Sequence, residues 1–201
     1  MANDEDVTQP ALREVRIDKR QVRVLAHPLR MRLIGALRVK GPATATTLAE
    51  LLGTNTGATS YHLRQLAEVG LVIEDPDRGS GRQRWWQAAH DVTNWEPSDF
   101  DDDPDARAAI EWIQGDQVRL LAETADRWFA TQHEWSPAWR DGFGMSDTLM
   151  TIPPARLDEL KNEVWQLLER YRQEAETADP TDPEAQPVQI FLAAYPLREG
   201  L

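Results

Sequence analysis

Residues 54–72 read TNTGATSYHLRQLAEVGLV, and this stretch decides the fold. Asn55 is typical of a helix N-cap, and the residues after it predict a helix that ends near Val69. At 100° per residue, the apolar side chains of Leu63 and Leu66 lie on one face of that helix. Its first turns consist of small and hydroxyl-bearing residues, which are middling or poor helix formers. Core packing alone therefore does not account for their choice.

Three further helices are predicted before this stretch, at about residues 17–26, 28–39 and 44–52. Pro28 stands where the first turn of a helix tolerates proline. Gly53 follows the third helix at the position where a left-handed C-cap is expected. The connection between the third helix and the fourth is therefore a tight turn.

A basic β-hairpin is predicted after the fourth helix. Residues 71–73 indicate a strand, residues 75–81 a polar loop and residues 82–89 a returning strand. The hairpin is basic because it carries Arg78, Arg82 and Arg84. Three helices, a tight turn, a hydroxyl-rich helix and a basic hairpin, in that order, predict a winged helix-turn-helix domain.

The second half of the chain predicts a helical region with two short strands. A long helix is expected over residues 106–132 and another from Pro153 onwards, with an apolar stripe between Leu157 and Tyr171 that is either core or a dimer contact. Strands are expected at residues 145–152 and 187–197. The predicted fold class is mainly α with a small β component.

The predicted domain organisation has three parts. A winged helix-turn-helix domain occupies residues 15–90. An acidic, proline-interrupted linker follows at residues 91–103. Its carboxylates are more simply explained as a solvated segment than as a weak site for a divalent cation. Residues 104–201 form a C-terminal dimerisation or effector-sensing domain.

Composition and charge limit the classes of function. The chain has no cysteine, which excludes disulfides and thiolate metal sites. Its net charge is −12, but residues 1–90 carry 13 basic against 10 acidic residues, whereas residues 91–201 carry 9 against 24. A basic module attached to an acidic one can still bind a polyanion, because a charge is felt mainly within a Debye length of about 8 Å. Neither a signal peptide nor a membrane span is indicated, so a cytoplasmic location is expected.

Several side chains of the fourth helix and the hairpin suit DNA. A helix in the major groove needs small residues where its backbone approaches the duplex, and hydrogen-bonding side chains where it meets base edges and phosphates. The bare helix N-terminus adds partial positive charge. The predicted DNA-binding residues are Asn55, Thr56, Gly57, Ser60, Tyr61, Arg64, Gln65, Arg78, Arg82 and Arg84.

Four blocks of the sequence resemble a known family. LAHPLRMRLIGAL, TLAELLG, SYHLRQLAEVGLV and the wing GSGRQRW resemble the DNA-binding domain of ArsR-type bacterial transcriptional regulators over about residues 17–90. The resemblance implies a homodimer that binds double-stranded DNA at a palindromic operator, usually as a repressor, and releases or rebinds it when an effector arrives. The chain departs from the metal-sensing members because it lacks cysteine, and from the minimal members because its acidic C-terminal half is much longer.

The tryptophans have two possible roles. Six of the eight tryptophans lie between the hairpin and the end of the long helix. Such a group either packs in an interface or lines an apolar pocket for a small-molecule effector. The candidate effector-pocket residues are Trp86, Trp95, Trp112 and Trp128.

Other functions are possible for a chain of this kind. No phosphate loop, nucleophile elbow or HExxH motif is present, so an enzyme is not expected, and no cofactor is predicted. His90 beside Asp91, and Asp126 near His133, are more simply surface pairs than metal ligands. His62 is more simply a packed or phosphate-adjacent residue. The alternative function is a winged helix that binds protein instead of DNA, which the acidic total charge keeps open.

Overall fold

The computed structural model describes residues 13–76, 78, 83–142, 144–179 and 181–197. The chain divides between Ala125 and Asp126 into two compact units. The first unit contains the buried core, and all twenty buried apolar residues of the described chain lie in it. Each unit is described by itself.

Four helices occur in the amino-terminal part of the first unit. Asp18 starts the first helix with a capping box, in which its side chain accepts from the backbone N–H of Gln21 while the Gln21 side chain accepts from the backbone N–H of Asp18. Pro28 occupies the first turn of the second helix, as the sequence predicts. The four helices are α1 (Lys19–Leu25), α2 (Pro28–Lys40), α3 (Ala45–Leu52) and α4 (Thr56–Ala67).

The core of the first unit is made where the apolar stripes of these helices meet. Leu33, Leu48, Leu63 and Leu66 are each 0% exposed. Burying a leucine side chain contributes roughly 1.5–3 kcal/mol relative to leaving it in water. These contacts hold α3 and α4 at a fixed angle, because the packed side chains belong to both helices and to α2.

A small antiparallel sheet forms the wing, as the sequence predicts. Its strands are β2 (Ala43–Thr44), β3 (Val72–Glu74) and β4 (Trp85–Ala88), in the order β2-β4-β3. Trp86 pairs with Ala43 on one side and Glu74 on the other. The tip of the hairpin, residues 77 and 79–82, lies outside the described residues.

A second sheet joins the start of the described chain to the segment that follows the wing. β1 (Glu14–Arg16) pairs in parallel with β5 (Val92–Asn94). The sequence did not predict either strand, because each has only three residues with one apolar side chain. Parallel pairing between segments nearly 80 residues apart leaves no local pattern.

The acidic segment at residues 91–103 is anchored on α1 and β1. Phe100 is 1% exposed within a 3-10 turn, Pro97–Phe100. Arg16 pairs with Asp99 at 2.6 Å and Lys19 with Asp102 at 2.5 Å. Two further ion pairs join Arg13 to Asp91 and Arg23 to Asp103. The carboxylates of this segment therefore neutralise cations at the start of the first unit.

The predicted long helix is present as α5 (Pro104–Thr131). It begins with Asp103, whose side chain accepts from the backbone N–H of Ala106 at 3.0 Å. Its buried residues are confined to the first three turns, at Ala106, Ala109, Ile110 and Ile113. The predicted stripe continues to Trp128, but beyond Ile113 its side chains are at most half-buried.

The second unit is helical in its described residues. A short helix, α6 (Pro137–Gly142), is followed by the long α7 (Pro154–Thr177). The strands predicted at residues 145–152 and 187–197 are wrong, because neither range forms a strand here. Both ranges are rich in apolar residues, but a strand requires a hydrogen-bonded neighbour, and neither finds one within the described chain. Among the described helices, none is both long enough and apolar enough to span a bilayer.

Candidate nucleic-acid interface

The turn between α3 and α4 fixes where α4 begins. Gly53 is left-handed, with φ 63° and ψ 41°, a conformation that glycine adopts without steric cost. Its N–H and that of Thr54 donate to backbone carbonyls of α3. Asn55 then caps α4, since its side-chain oxygen accepts from the N–H of Ala58 at 2.8 Å. The predicted cap and turn are both present.

The helix α4 has one buried and one open face. Thr59 and Leu63 are fully buried, whereas Thr56, Gly57 and Arg64 are exposed. Tyr61 is 54% exposed, and Ser60 and Gln65 are half-buried at the margins. A tyrosine, an arginine and small residues therefore line the open face, which is the combination that the sequence pattern predicts.

A cleft of about 260 Å³ opens between α4 and the wing. Thr56, Ser60 and Arg64 form one wall of the cleft. The other walls come from the N-terminus of α3 and from the wing: Thr44, Ala45, Thr46, Gln83, Arg84 and Trp86. Thr44, Thr46 and Gln83 are additions to the predicted set. The run of hydroxyl residues in TATTLAELL is the sequence signal that could have indicated the two threonines.

The cations around the cleft differ in how far they are neutralised. Arg84 pairs with Glu74 at 2.9 Å, and Arg78 with Asp75 at 3.4 Å. Within the described ranges, Arg64 has no ion-pair partner, so its guanidinium can bind an incoming anion. Arg82, also predicted to bind DNA, lies outside the described residues.

Gln65 is partly engaged within α4. Its side-chain N–H donates to the carboxylate of Glu68 at 3.2 Å. Bidentate recognition of adenine by a glutamine uses both its amide nitrogen and its amide oxygen. Gln65 would therefore have to exchange Glu68 for a base before it could read an adenine edge.

Two histidines stack where α4 meets the start of α2. The ring centroids of His27 and His62 are 4.3 Å apart, and the Tyr61 ring meets His62 edge-on at 5.2 Å. His27 caps α2, because its Nδ1 accepts from the N–H of Leu29 at 3.1 Å. His62 is therefore a packed residue, as the simpler sequence interpretation has it.

The neutral form of this histidine pair is favoured. Desolvation lowers the pKa of His27, and the charge of Arg30 lowers that pKa further. Desolvation also lowers the pKa of His62, with smaller effects from His27 and Arg30. The Nδ1 of His62 is buried and has no hydrogen-bond partner among the described residues. Protonation of either ring places a charge beside Arg30, and protonation of His27 at Nδ1 also breaks the cap.

The midpoint temperature of unfolding should therefore fall between pH 7.5 and pH 5.5. Unfolded histidine takes up its proton near pH 6.5, before the folded pair does, so acidification favours the unfolded chain. His90 adds to the effect, because desolvation lowers its pKa as well. His62→Gln and His27→Asn should each reduce the fall measured by calorimetry. If the midpoint temperature fell as far in both variants as in the wild-type protein, this assignment would be contradicted.

Of the four predicted effector-pocket tryptophans, three belong to the first unit and Trp128 to the second. Trp86 is 4% exposed in the core, and Trp95 and Trp112 pack against that core. Trp128 instead lies 6.1 Å from Trp135 between ring centroids, and Trp135 lies 5.9 Å from Trp139. The first three tryptophans therefore pack in the first unit.

The histidines weighed as metal ligands lie near charged groups. Asp91 pairs with Arg13 at 2.9 Å, and His133 lies 3.9 Å from the carboxylate of Glu134. In the part of the chain that the structure describes, no three His, Asp or Glu side chains are grouped so that they could hold a metal ion.

Comparison with known proteins supports the assignment of the fold. A family model described as a helix-turn-helix domain matches residues 25–75, which run from the end of α1 into the wing. A search of the curated proteins finds no match.

Three solved structures are similar to parts of this chain. The homodimeric winged helix-turn-helix DNA-binding domain of a possible ArsR-family regulator from Mycobacterium bovis is 21% identical, over 52% of this chain and 76% of that one, with a TM-score of 0.32. A possible transcriptional regulator for arsenical resistance is 30% identical, over 51% and 94%, with a TM-score of 0.30. ZitR of Lactococcus lactis, solved with DNA, is 14% identical, over 85% and 84%, with a TM-score of 0.25.

The four sequence blocks, the order of the helices and wing, and the family model all point to the same domain. The amino-terminal half of this chain is a winged helix-turn-helix domain of the ArsR type, the DNA-binding part of a transcriptional regulator.

Proposed function

We propose that the protein is a homodimeric repressor that binds a palindromic operator. In this proposal residues 15–90 bind DNA and residues 104–201 join the protomers or sense an effector. One α4 from each protomer enters the major groove, and the two grooves lie about 34 Å apart on one side of the duplex. The wings contact the flanking backbone.

The cleft between α4 and the wing is the observation that carries this proposal. It brings Arg64, which has no ion-pair partner among the described residues, together with Thr56 and Ser60 on one wall. Thr46 and the N-terminus of α3 face them, and a helix N-terminus favours phosphate. A convex helix with a hydroxyl-lined, basic cleft beside it suits a base edge and the phosphate next to it.

The charge of the described amino-terminal part supports a polyanionic partner. Residues 13–90 carry 13 basic and 7 acidic side chains, in contrast to the total charge of −12. The field near the cleft is set mainly by groups within about 8 Å, and both arginines that line the cleft, Arg64 and Arg84, belong to this basic part. The acidic C-terminal half instead disfavours loose, non-specific contact with DNA through repulsion.

Selection from a random duplex library tests the dimeric, palindromic part of the proposal. The full-length protein should enrich an inverted repeat whose half-site centres are separated by about one helical turn, 10–10.5 base pairs. Inserting five base pairs between the half-sites should weaken binding strongly, because the second α4 then faces the wrong side of the duplex. Enrichment of a single unrepeated site would contradict a two-fold symmetric complex.

A winged helix that binds protein instead of DNA is the alternative. It predicts no enrichment from the library at any salt concentration. The Arg64→Ala variant is the matched control, since it removes the unpaired guanidinium and leaves the buried face of α4 intact. Equal enrichment by this variant and the wild type would show that the cleft does not select the sequence.

A further inference from the structure

The helix α7 has an apolar stripe that the described chain covers only in part, since Leu157 and Val164 are half-buried. None of its 24 residues is buried. Leu160, Leu167 and Tyr171 are 37%, 45% and 60% exposed. A helix about 36 Å long with no buried face is marginal in water, because most helical stability comes from tertiary packing. The stripe therefore requires a partner surface.

The spacing of the stripe indicates that the partner is another helix. Its apolar residues Leu157, Leu160, Val164, Leu167 and Tyr171 alternate at intervals of three and four, and Leu168 lies at the margin of this stripe. An interval that averages 3.5 residues keeps one seam facing a second helix over several turns. A helix lying on a broad apolar surface carries a wider stripe at a period of 3.6.

Much of the rest of the α7 surface carries ion pairs within the helix. Arg156 pairs with Glu159, Lys161 with Asp158, and Arg172 with Glu169 and Glu176. These pairs are three or four residues apart and belong to a solvated surface. The apolar stripe is thus the face available for association.

We propose that α7 pairs with α7 of a second copy of this chain in an antiparallel arrangement. This inference rests on the proposed homodimer and names one of its contact surfaces. A two-fold axis relates identical helices, so the same stripe lies on both sides. In the register that matches apolar layers, Val164 faces Leu167 of the second copy, and Leu160 faces Tyr171 of the second copy.

Charge complementarity selects this register. Flanking the stripe, Glu163 then lies opposite Arg170 of the second copy, and two-fold symmetry makes that pair twice. Within the described chain, no cation pairs with Glu163, while Arg170 has a loose contact with Glu174 at 3.9 Å. A parallel pair would instead bring Arg156 of one copy next to Lys161 of the other, and like charges there disfavour association.

Disulfide cross-linking tests the arrangement cleanly, because the chain has no cysteine of its own. A mixture of full-length Leu160→Cys and Tyr171→Cys proteins should form a mixed disulfide under mild oxidation. Neither protein should cross-link to itself, since the two Leu160 positions would lie about 16 Å apart along the axis. The matched control mixes Glu159→Cys with Arg172→Cys, which lie at the same height on the outer faces and should not cross-link.

The mass of the full-length protein gives an independent test. Leu167→Glu should raise the dissociation constant of the dimer at least about 10-fold in sedimentation equilibrium, because the change occurs twice in the interface. Trp165→Glu is the control, since Trp165 is 52% exposed but lies off the stripe. Glu163→Arg and Arg170→Glu should each weaken the dimer about 3-fold or more, and the double exchange should restore it.

Several results would overturn the inference. Self-cross-linking of Leu160→Cys would mean a parallel pair. No mixed disulfide, with a monomeric mass unchanged by Leu167→Glu, would mean that another part of the same chain, such as residues 187–197, covers the stripe. If the protein selected an inverted repeat but failed the cross-linking test, the dimer would form through contacts other than α7. The proposed function would then still hold. Cross-linking in a protein that does not bind DNA would support the α7 pair and contradict the proposed function.

Discussion

Replacing Arg64 with glutamate should lower the affinity for operator DNA at least about 100-fold. A well-placed arginine contact to a base or phosphate contributes about 1–3 kcal/mol, and a dimer loses it twice. Charge reversal adds repulsion from the phosphates near the cleft. The stability of the domain should stay nearly unchanged, since Arg64 is exposed and makes no ion pair within the described residues.

The appropriate comparison is Arg107→Glu, an equally large charge change at an exposed position of α5 outside the cleft. Fluorescence anisotropy with a labelled operator duplex should show a much smaller loss for this variant. Adding Arg84→Glu to Arg64→Glu should weaken binding further, although Arg84 already shares its charge with Glu74. Retention of wild-type affinity by the double variant would contradict the proposed cleft.

Replacing Phe100 with alanine should destabilise the first unit by about 3–5 kcal/mol. The side chain is 1% exposed and belongs to the same buried cluster as Val22 and Ile113. A loss of this size is a large fraction of the roughly 5–15 kcal/mol that stabilises a typical domain. Urea unfolding followed by tryptophan fluorescence should show a clear fall in the midpoint concentration.

Asp101→Ala provides the comparison for Phe100→Ala. Asp101 is the next residue, is exposed and carries no ion pair among the described residues, so its removal should change the free energy of unfolding by less than about 0.5 kcal/mol. If Phe100→Ala were equally mild, the segment at residues 91–103 would not be packed on the first unit.

The winged helix-turn-helix could be predicted from the sequence because its signals are local. Asn55 and Gly53 mark the ends of two helices, and Leu63 and Leu66 mark the buried face of α4. The wing follows from two short β-prone runs around a polar loop. Each of these signals acts within a few residues, so no knowledge of distant contacts is needed.

The sheet of β1 and β5 could not be predicted, because it depends on long-range pairing. Nothing in residues 14–16 indicates that they lie beside residues 92–94. The strands predicted at residues 145–152 and 187–197 were wrong because the prediction used apolar content alone. A strand also needs a hydrogen-bonded neighbouring strand, which the local sequence does not reveal. The burial of Phe100 was not predicted, because acidic residues dominate the composition of the segment around it.

The candidate site was predictable in part. The open face of α4 follows from helical periodicity, so Thr56, Tyr61 and Arg64 could be assigned from the sequence. The contribution of Thr46 depends on the angle between α3 and α4, which the sequence does not state. The tryptophans were grouped by their proximity along the chain, whereas the structure separates Trp86 in the core from Trp128 in the second unit.

The most direct test of the account is a pair of anisotropy titrations. One labelled duplex comes from the region upstream of the gene itself, the other has the same composition in scrambled order, and both are titrated at several salt concentrations. We expect tight binding to the first duplex, weaker binding to the second, and a logarithm of affinity that falls with the logarithm of salt by about 0.9 per neutralised phosphate. Equal affinity for the two duplexes, or no binding at low salt, would contradict a sequence-specific DNA-binding regulator.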